Sequence, residues 1–203
     1  MRQESSVAER RLIAAGICAT CALVLAQTIA ELVDYRFFDL RLGVLRSDGD
    51  GGLFGAIGVI ALLSTSAAAW LGLLRLPDLR RPLEILAPLV TFLAIDKGLR
   101  LHDHIPHWLA LYLPLLAGVF LLLLAIARRT SLQARRLIVA ALALLALAFL
   151  VHQYGDSVLV HLHEPSTGWA YQLKGVVKHG AELAGWLFVA VAIVGSCISA
   201  SEK

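Results

Sequence analysis

Two stretches of the sequence, residues 53–74 and 108–127, are predominantly apolar and contain no charged side chain. A helix needs roughly 20 apolar residues to cross the hydrocarbon core of a bilayer, so each stretch is long enough to span a membrane. The chain as a whole is 59% hydrophobic and only 16% charged, with a mean hydropathy of +0.76. That is more apolar surface than a soluble domain of 203 residues can bury. The sequence therefore predicts an integral membrane protein in contact with the lipid bilayer.

Four further apolar stretches bring the number of predicted transmembrane helices to six. The predicted spans are residues 12–33, 53–74, 83–104, 108–127, 137–156 and 176–198. With short connections these spans use nearly the whole chain, so we expect an all-α fold, a single transmembrane helical domain over residues 1–203. The third span is the least apolar, because it becomes polar from Asp96 onward, and Pro106 is expected to end it.

Arginine and lysine residues set the predicted orientation, because cytoplasmic loops of membrane proteins are enriched in them. Residues 128–136 contain four arginines and no acidic residue, which is the strongest single signal. The sequence thus predicts a multi-pass protein of the cell membrane with both termini in the cytoplasm. Since these arginines lie in short loops beside helix ends, they indicate topology and not a nucleic-acid surface.

All seven histidines fall on the opposite, extracytoplasmic side in this topology, together with 10 of the 15 acidic residues. Polar side chains recur at helical spacing near the outer ends of the first, third, fifth and sixth spans, and not in the second and fourth. The residues on these polar faces are Glu31, Asp34, Asp96, Arg100, Asp103, His152, Asp156, Lys178, His179 and Glu182. Ionisable groups at membrane depth normally face the bundle interior or a water-filled cavity. We therefore expect the four faces to converge on an outward-facing polar cavity.

One interpretation of this cavity is a catalytic metal site, because imidazole and carboxylate groups are suitable ligands for zinc. The predicted ligands are His102, His152 and His179. Asp96, Asp156 and Glu182 are the candidates for orienting a ligand or acting as general base. The metal-bound water would then hydrolyse an ester, amide or peptide bond presented from the lipid or the outer surface.

Histidine and aspartate side chains near the outer ends of several spans, such as His152 and Asp156, are similar to those of the ceramidase and receptor-type group of membrane hydrolases. The chain departs from that group in lacking a seventh helix and the characteristic histidine pairs.

A second interpretation is a non-enzymatic membrane protein in which the charged groups pair with one another, as the i,i+4 spacing of Lys178 and Glu182 allows. Such a protein would serve as a subunit that binds a membrane partner or a second copy of itself, or as a small permease for protons or metal ions. A third interpretation is haem b, with His152 and His179 as the axial ligands.

Overall fold

The computed structural model describes residues 6–38, 52–165 and 168–201, except for the side chains of His102 and Asp103. Six long α helices account for most of these residues. They are α1 (Val7–Phe38), α2 (Leu53–Arg75), α3 (Arg80–Leu99), α4 (Trp108–Ala127), α5 (Leu132–His161) and α6 (Trp169–Ser201). Two short 3-10 helices, Pro77–Leu79 and Leu101–His104, lie in the connections on either side of α3. The predicted all-α fold is confirmed.

Three of the helices are longer than the apolar spans predicted for them. The bounds of α2 and α4 agree with the prediction to within one residue, whereas α1, α5 and α6 continue for several residues at both ends. The backbone hydrogen bonds of a helix continue past the apolar stretch, so hydropathy alone underestimates helix length. At the start of α5 the exact position is set by Ser131, whose hydroxyl accepts a hydrogen bond from the backbone N–H of Ala134.

The third helix ends earlier than the sequence predicts. It stops at Leu99, because Arg100 adopts a left-handed conformation with φ 55° and ψ 40°. The backbone N–H of Arg100 donates to the carbonyl of Asp96, which closes the last turn. The predicted span 83–104 is therefore divided at Arg100 into the α helix and the short 3-10 helix Leu101–His104.

Helix α6 is the central element of the bundle, since it packs against α1, α2 and α5. Glycines allow its neighbours to approach closely, as is common where helices pack in lipid. A Cβ added at Gly16 of α1 would lie 2.6 Å from Cγ2 of Val191, and one added at Gly185 of α6 would lie 2.6 Å from Cγ of Leu145 in α5.

Successive helices run in opposite directions, because the connections 76–79, 100–107 and 128–131 are short. Helix α1 is antiparallel to α6, since Glu9 near the start of α1 lies beside Gly195 near the end of α6. The start of α1 and the end of α6 therefore lie at the same end of the bundle.

The two ends of the bundle differ sharply in their charged side chains. The end where α1, α3 and α5 begin is here called the arginine end. Its described residues include nine arginines and three carboxylates. All the described histidines lie toward the opposite end, here called the histidine end. The predicted segregation of histidines from the arginine-rich loops is thus present in the fold.

Five of the six helices in the described part of the chain, all except α3, are long and apolar enough to cross a membrane. Helix α3 carries Glu84, Asp96 and Lys97 in addition to the arginines at its start. It nevertheless packs against both α2 and α4. The fold is therefore that of a helical protein with several candidate membrane spans, and α3 is its polar exception.

Candidate functional site

A salt bridge joins α3 to α6 toward the histidine end of the bundle. The Nζ atom of Lys97 lies 2.6 Å from Oε1 of Glu182, and about a quarter of each side chain is exposed (26% and 25%). One turn before Glu182 on α6, His179 places its Nδ1 atom 4.0 Å from Oε2 of the same carboxylate. The Glu182 carboxylate therefore lies between two nitrogen groups, one from each of two helices.

These three side chains line a small cavity between four helices. Its remaining wall is formed by Gln27 of α1, by Phe54, Gly55 and Gly58 of α2, and by Leu183 and Trp186 of α6. The cavity volume is about 10 Å³, which is roughly the space for one water molecule. A Cβ added at Gly58 would lie 3.0 Å from Cε of Lys97, so the missing side chain gives Lys97 room to reach Glu182.

The buried face of α1 is polar. Its buried residues are Glu9, Ile13, Thr20, Gln27, Glu31 and Asp34, of which only Ile13 is apolar. At 3.6 residues per turn these positions fall within about 60° of one another around the helix axis. Because α1 packs chiefly against α6, these positions follow that contact, with the apolar Ile13 between Glu9 and Thr20 and about two helical turns between Thr20 and Gln27. The polar residues of this face are here called the polar seam. Within it, the Gln27 amide Nε2 lies 3.4 Å from Oε1 of Glu31.

At the arginine end the polar seam meets α5. The carboxylate of Glu9 accepts a short hydrogen bond from the hydroxyl of Ser131, and both side chains are buried. The other carboxylate oxygen of Glu9, Oε2, is also buried and has no hydrogen-bond partner among the described residues. The seam therefore has one end at the cavity near the histidine end and the other at a buried carboxylate near the arginine end.

Asp96 faces a different side of α3 from Lys97, because one residue turns an α helix by 100°. It is 4% exposed and lies beside Tyr112 of α4. The Tyr112 ring packs edge-on against Trp108, with 5.7 Å between the ring centroids, and the Trp108 ring lies 6.1 Å from that of His152 in α5. Asp96 thus belongs to a second polar group, between α3, α4 and α5.

The structure brings together some of the predicted site residues and separates others. Glu182 and His179 line the cavity, and Glu31 lies next to it through its contact with Gln27. Asp156 is exposed and lies 2.5 Å from Nζ of Lys174, at the rim between α5 and α6.

Four other predicted residues lie outside the cavity wall. His152 is exposed on α5, and Lys178 of α6 is close enough to act on it electrostatically. Arg100 is exposed at the end of α3, whereas Asp34 is fully buried in the polar seam. The wall of this cavity is thus formed by α1, α2, α3 and α6, and no described residue of α5 belongs to it.

No group of three or more histidine, cysteine, aspartate or glutamate side chains in the described part of the chain is arranged to hold a metal ion. The side chains of His102 and Asp103 lie outside the described part. A zinc site on His102, His152 and His179, and the hydrolysis that it would support, thus stay predictions. The cavity beside His179 is far smaller than a porphyrin, so it does not support the haem interpretation.

Two parts of the cavity were not expected from the sequence, namely Lys97 and the glycine face of α2. The signal for Lys97 was its position inside an apolar span, one residue after Asp96 and therefore on another face. An ionisable group at that position needs its own partner. Gly55 and Gly58 of α2 line the cavity, and the missing side chain of Gly58 leaves room for Lys97 to reach its partner.

One family model, described as Domain of unknown function (DUF8692), matches residues 12–196 of the chain. The match covers all or part of each of the six helices. No curated protein and no solved structure matches the chain.

Proposed function

The chain belongs to the DUF8692 family, and from the geometry of its helices we propose that it is a small proton permease of the cell membrane. Protons would enter at the cavity of Lys97, His179 and Glu182 and move along the contact between α1 and α6. The observation that carries this proposal is the polar seam, in which Gln27 lines the cavity and Thr20 and Glu9 lie further along the same contact toward the arginine end.

A polar seam is costly in a membrane, where ionisable groups normally mark ion pathways or proton relays. Packing α1 onto α6 needs only apolar and small residues, such as Ile13 and Gly16, which also lie on that contact. The seam instead contains three carboxylates, which exchange protons, and Thr20 and Gln27, whose polar groups both donate and accept hydrogen bonds. Its composition is that expected of a relay.

The cavity supplies a proton-binding group with two partners. When ionised, the Glu182 carboxylate pairs with Lys97 through Oε1, and a protonated His179 would be attracted to its other oxygen, Oε2. Protonation of Glu182 removes the attraction to both nitrogens, so proton uptake is coupled to a change in side-chain pairing. A cavity that fits one water suits proton exchange better than the binding of an ester or peptide substrate.

The same proposal assigns α3 as a sixth membrane span and places the arginine end in the cytoplasm. Placing α3 across the membrane carries the energetic cost of a lysine at membrane depth, and the salt bridge of Lys97 with Glu182 offsets that cost. Alternating helix directions then bring both termini to the cytoplasmic side, with the cavity toward the outside.

The direct test is proton flux into liposomes that contain the purified protein and a trapped pH-sensitive dye, driven by a potassium gradient with an ionophore. We expect flux above that of protein-free liposomes, and we expect Glu182→Gln to reduce it to background. Glu84→Gln is the matched control, because Glu84 is an exposed carboxylate of α3 that pairs with Arg80 outside the seam.

Flux that is equal to background, or that persists in Glu182→Gln, would overturn the proposal. If the protein is folded but inactive, the other non-enzymatic alternative would be favoured, namely a membrane subunit that binds a protein partner and whose ion pairs stabilise its fold.

A further inference from the structure

The arginine end is unusually rich in exposed guanidinium groups. Its described basic residues are Arg10, Arg11, Arg75, Arg80, Arg81, Arg128, Arg129, Arg135 and Arg136, and all but Arg135 are exposed. Two of the three carboxylates at this end are already engaged, since Glu9 bonds to Ser131 and Glu84 pairs with Arg80 at 2.9 Å. The end therefore carries a large uncompensated positive charge.

The fold gathers part of this charge along one edge. The guanidinium Nη1 of Arg129 donates to the backbone carbonyl of Asp78 at 3.1 Å, which joins the α4–α5 connection to the α2–α3 connection. Residues 76–81 and 128–136 thus lie side by side, and they are here called the arginine edge.

Two helix N-termini lie at the arginine edge. Helices α3 and α5 both begin there, and neither has an acidic residue in its first turn. The N-terminus of a helix carries a partial positive charge that acidic side chains usually offset. At α5 the buried carboxylate of Glu9 lies beside the cap residue Ser131 and offsets that charge, so the α3 end is the one that adds to the positive potential of the edge.

The choice of arginine over lysine indicates the chemistry of the ligand. The orientation rule for membrane proteins is satisfied equally by lysine and arginine, yet the described lysines, Lys97, Lys174 and Lys178, all lie toward the histidine end. The planar guanidinium group matches a phosphate with two parallel hydrogen bonds, which an ammonium group cannot do. The described residues of the arginine end thus include nine arginines and no lysine, a composition that favours phosphate recognition.

We propose that the arginine edge binds the phosphate of an anionic phospholipid. The edge borders exposed apolar side chains of the same helices, including Leu74 of α2 (81% exposed) and Leu132 of α5 (43% exposed). Acyl chains packed on these residues would hold the headgroup phosphate against the guanidinium groups of the edge. A soluble phosphate would gain nothing from that apolar surface, so a lipid is the ligand that uses both features.

The test measures binding of phosphatidylglycerol and of phosphatidylcholine to the full-length protein by native mass spectrometry, with the double variant R128Q/R129Q. Each guanidinium near an anionic headgroup contributes about 1 kcal/mol, so we expect the preference for phosphatidylglycerol to fall by roughly thirty-fold. The control R36Q/R100Q removes the same charge from exposed positions toward the histidine end and should change the preference by less than about threefold.

The variant R128K/R129K keeps the charge at both positions but replaces each guanidinium group with an ammonium group, so it tests the guanidinium geometry itself. We expect it to lose a large part of the preference, and wild-type behaviour in this variant would overturn the assignment to arginine geometry. Equal losses in R128Q/R129Q and R36Q/R100Q would show that only net charge acts. Displacement of the lipid by inorganic phosphate would identify a soluble anion as the ligand instead.

Discussion

The side chain of Lys97 on α3 reaches Glu182 on α6, 85 residues away in the sequence, and forms a salt bridge with 2.6 Å between Nζ and Oε1. Helix α3 packs mainly against α2 and α4, so the lysine must pass the glycine face of α2 to reach its partner. This contact ties the most polar helix to the central one and fixes the position of the cavity.

Removing one partner of this salt bridge is expected to lower the free energy of unfolding more than removing both partners. Lys97→Met leaves the Glu182 carboxylate facing only His179, and loss of one partner of a largely buried pair typically costs about 3 kcal/mol. The double variant Lys97→Met, Glu182→Gln should recover most of that stability. A double-mutant cycle on thermal unfolding of the purified protein measures the coupling, and strictly additive effects would mean that the pair contributes nothing.

The polar seam predicts a loss of proton flux without loss of folding in Gln27→Leu. The substitution keeps the approximate volume of the side chain but removes the polar group of the seam that lines the cavity and contacts Glu31. We expect flux in liposomes to fall by about tenfold or more, in line with the cost of an unmet polar contact. Cys21→Leu is the control, because Cys21 is exposed on another face of α1. Similar flux in both variants would show that the polar seam takes no part in proton transport.

The close packing of α5 on α6 predicts opposite signs for two glycine substitutions. A Cβ at Gly185 would lie 2.6 Å from Cγ of Leu145 and 3.3 Å from the carbonyl oxygen of Ala141, whereas one at Gly118 of α4 meets nothing within 4 Å. Gly185→Ala should therefore destabilise the protein by about 1–3 kcal/mol. Gly118→Ala should stabilise it by about 0.5–1 kcal/mol, since alanine favours the helical backbone. Thermal unfolding of both variants checks the prediction.

The six-span topology predicts that a membrane-impermeant maleimide reaches the start of α1 and the end of α6 from the same side of the membrane. In a cysteine-free background, Val7→Cys and Ser201→Cys should react from the cytoplasmic side and His107→Cys from the other. Labelling intact cells and inverted vesicles distinguishes the sides. If α3 does not cross the membrane, the first two positions must react from opposite sides.

Ser131 is predicted to stabilise two helices at once. Its hydroxyl accepts the N–H of Ala134 at 3.2 Å, which caps α5, and donates to the buried carboxylate of Glu9. Ser131→Ala should cost about 2 kcal/mol, because both the cap and the partner of Glu9 are lost. Ser131→Thr retains the hydroxyl and should cost much less. Equal costs in thermal unfolding would show that the hydroxyl is unimportant.

Spacing in the sequence was sufficient to group residues on one face of a helix. Gln27, Glu31 and Asp34 are separated by four and three positions, and the structure buries all three in the polar seam. Hydropathy likewise indicated the six helices, because apolar stretches of this length have few other solutions. These features depend only on local periodicity, which a single sequence contains.

Which helices meet at a given depth of the bundle is a different matter, which spacing does not determine. His152 and Asp156 lie on the same face of α5 as Leu145, which packs against Gly185 of α6, but they are about two and three turns further along the helix. At that depth Asp156 is exposed and pairs with Lys174. The predicted contribution of α5 to the cavity depended on this packing, and for the same reason the part taken by Lys97 and α2 could not be foreseen.

The central place of α6 bears on how the protein is made. Among the six helices it is synthesised last, yet it covers the buried face of α1, which is synthesised first. Until α6 leaves the translocation channel, most of the buried face of α1 lacks its packing partner, with Ser131 of α5 beside Glu9 alone, and α2 and α5 lack a common neighbour. A chain stopped before Trp169 would therefore leave Glu31 and Asp34 without the helix that covers them.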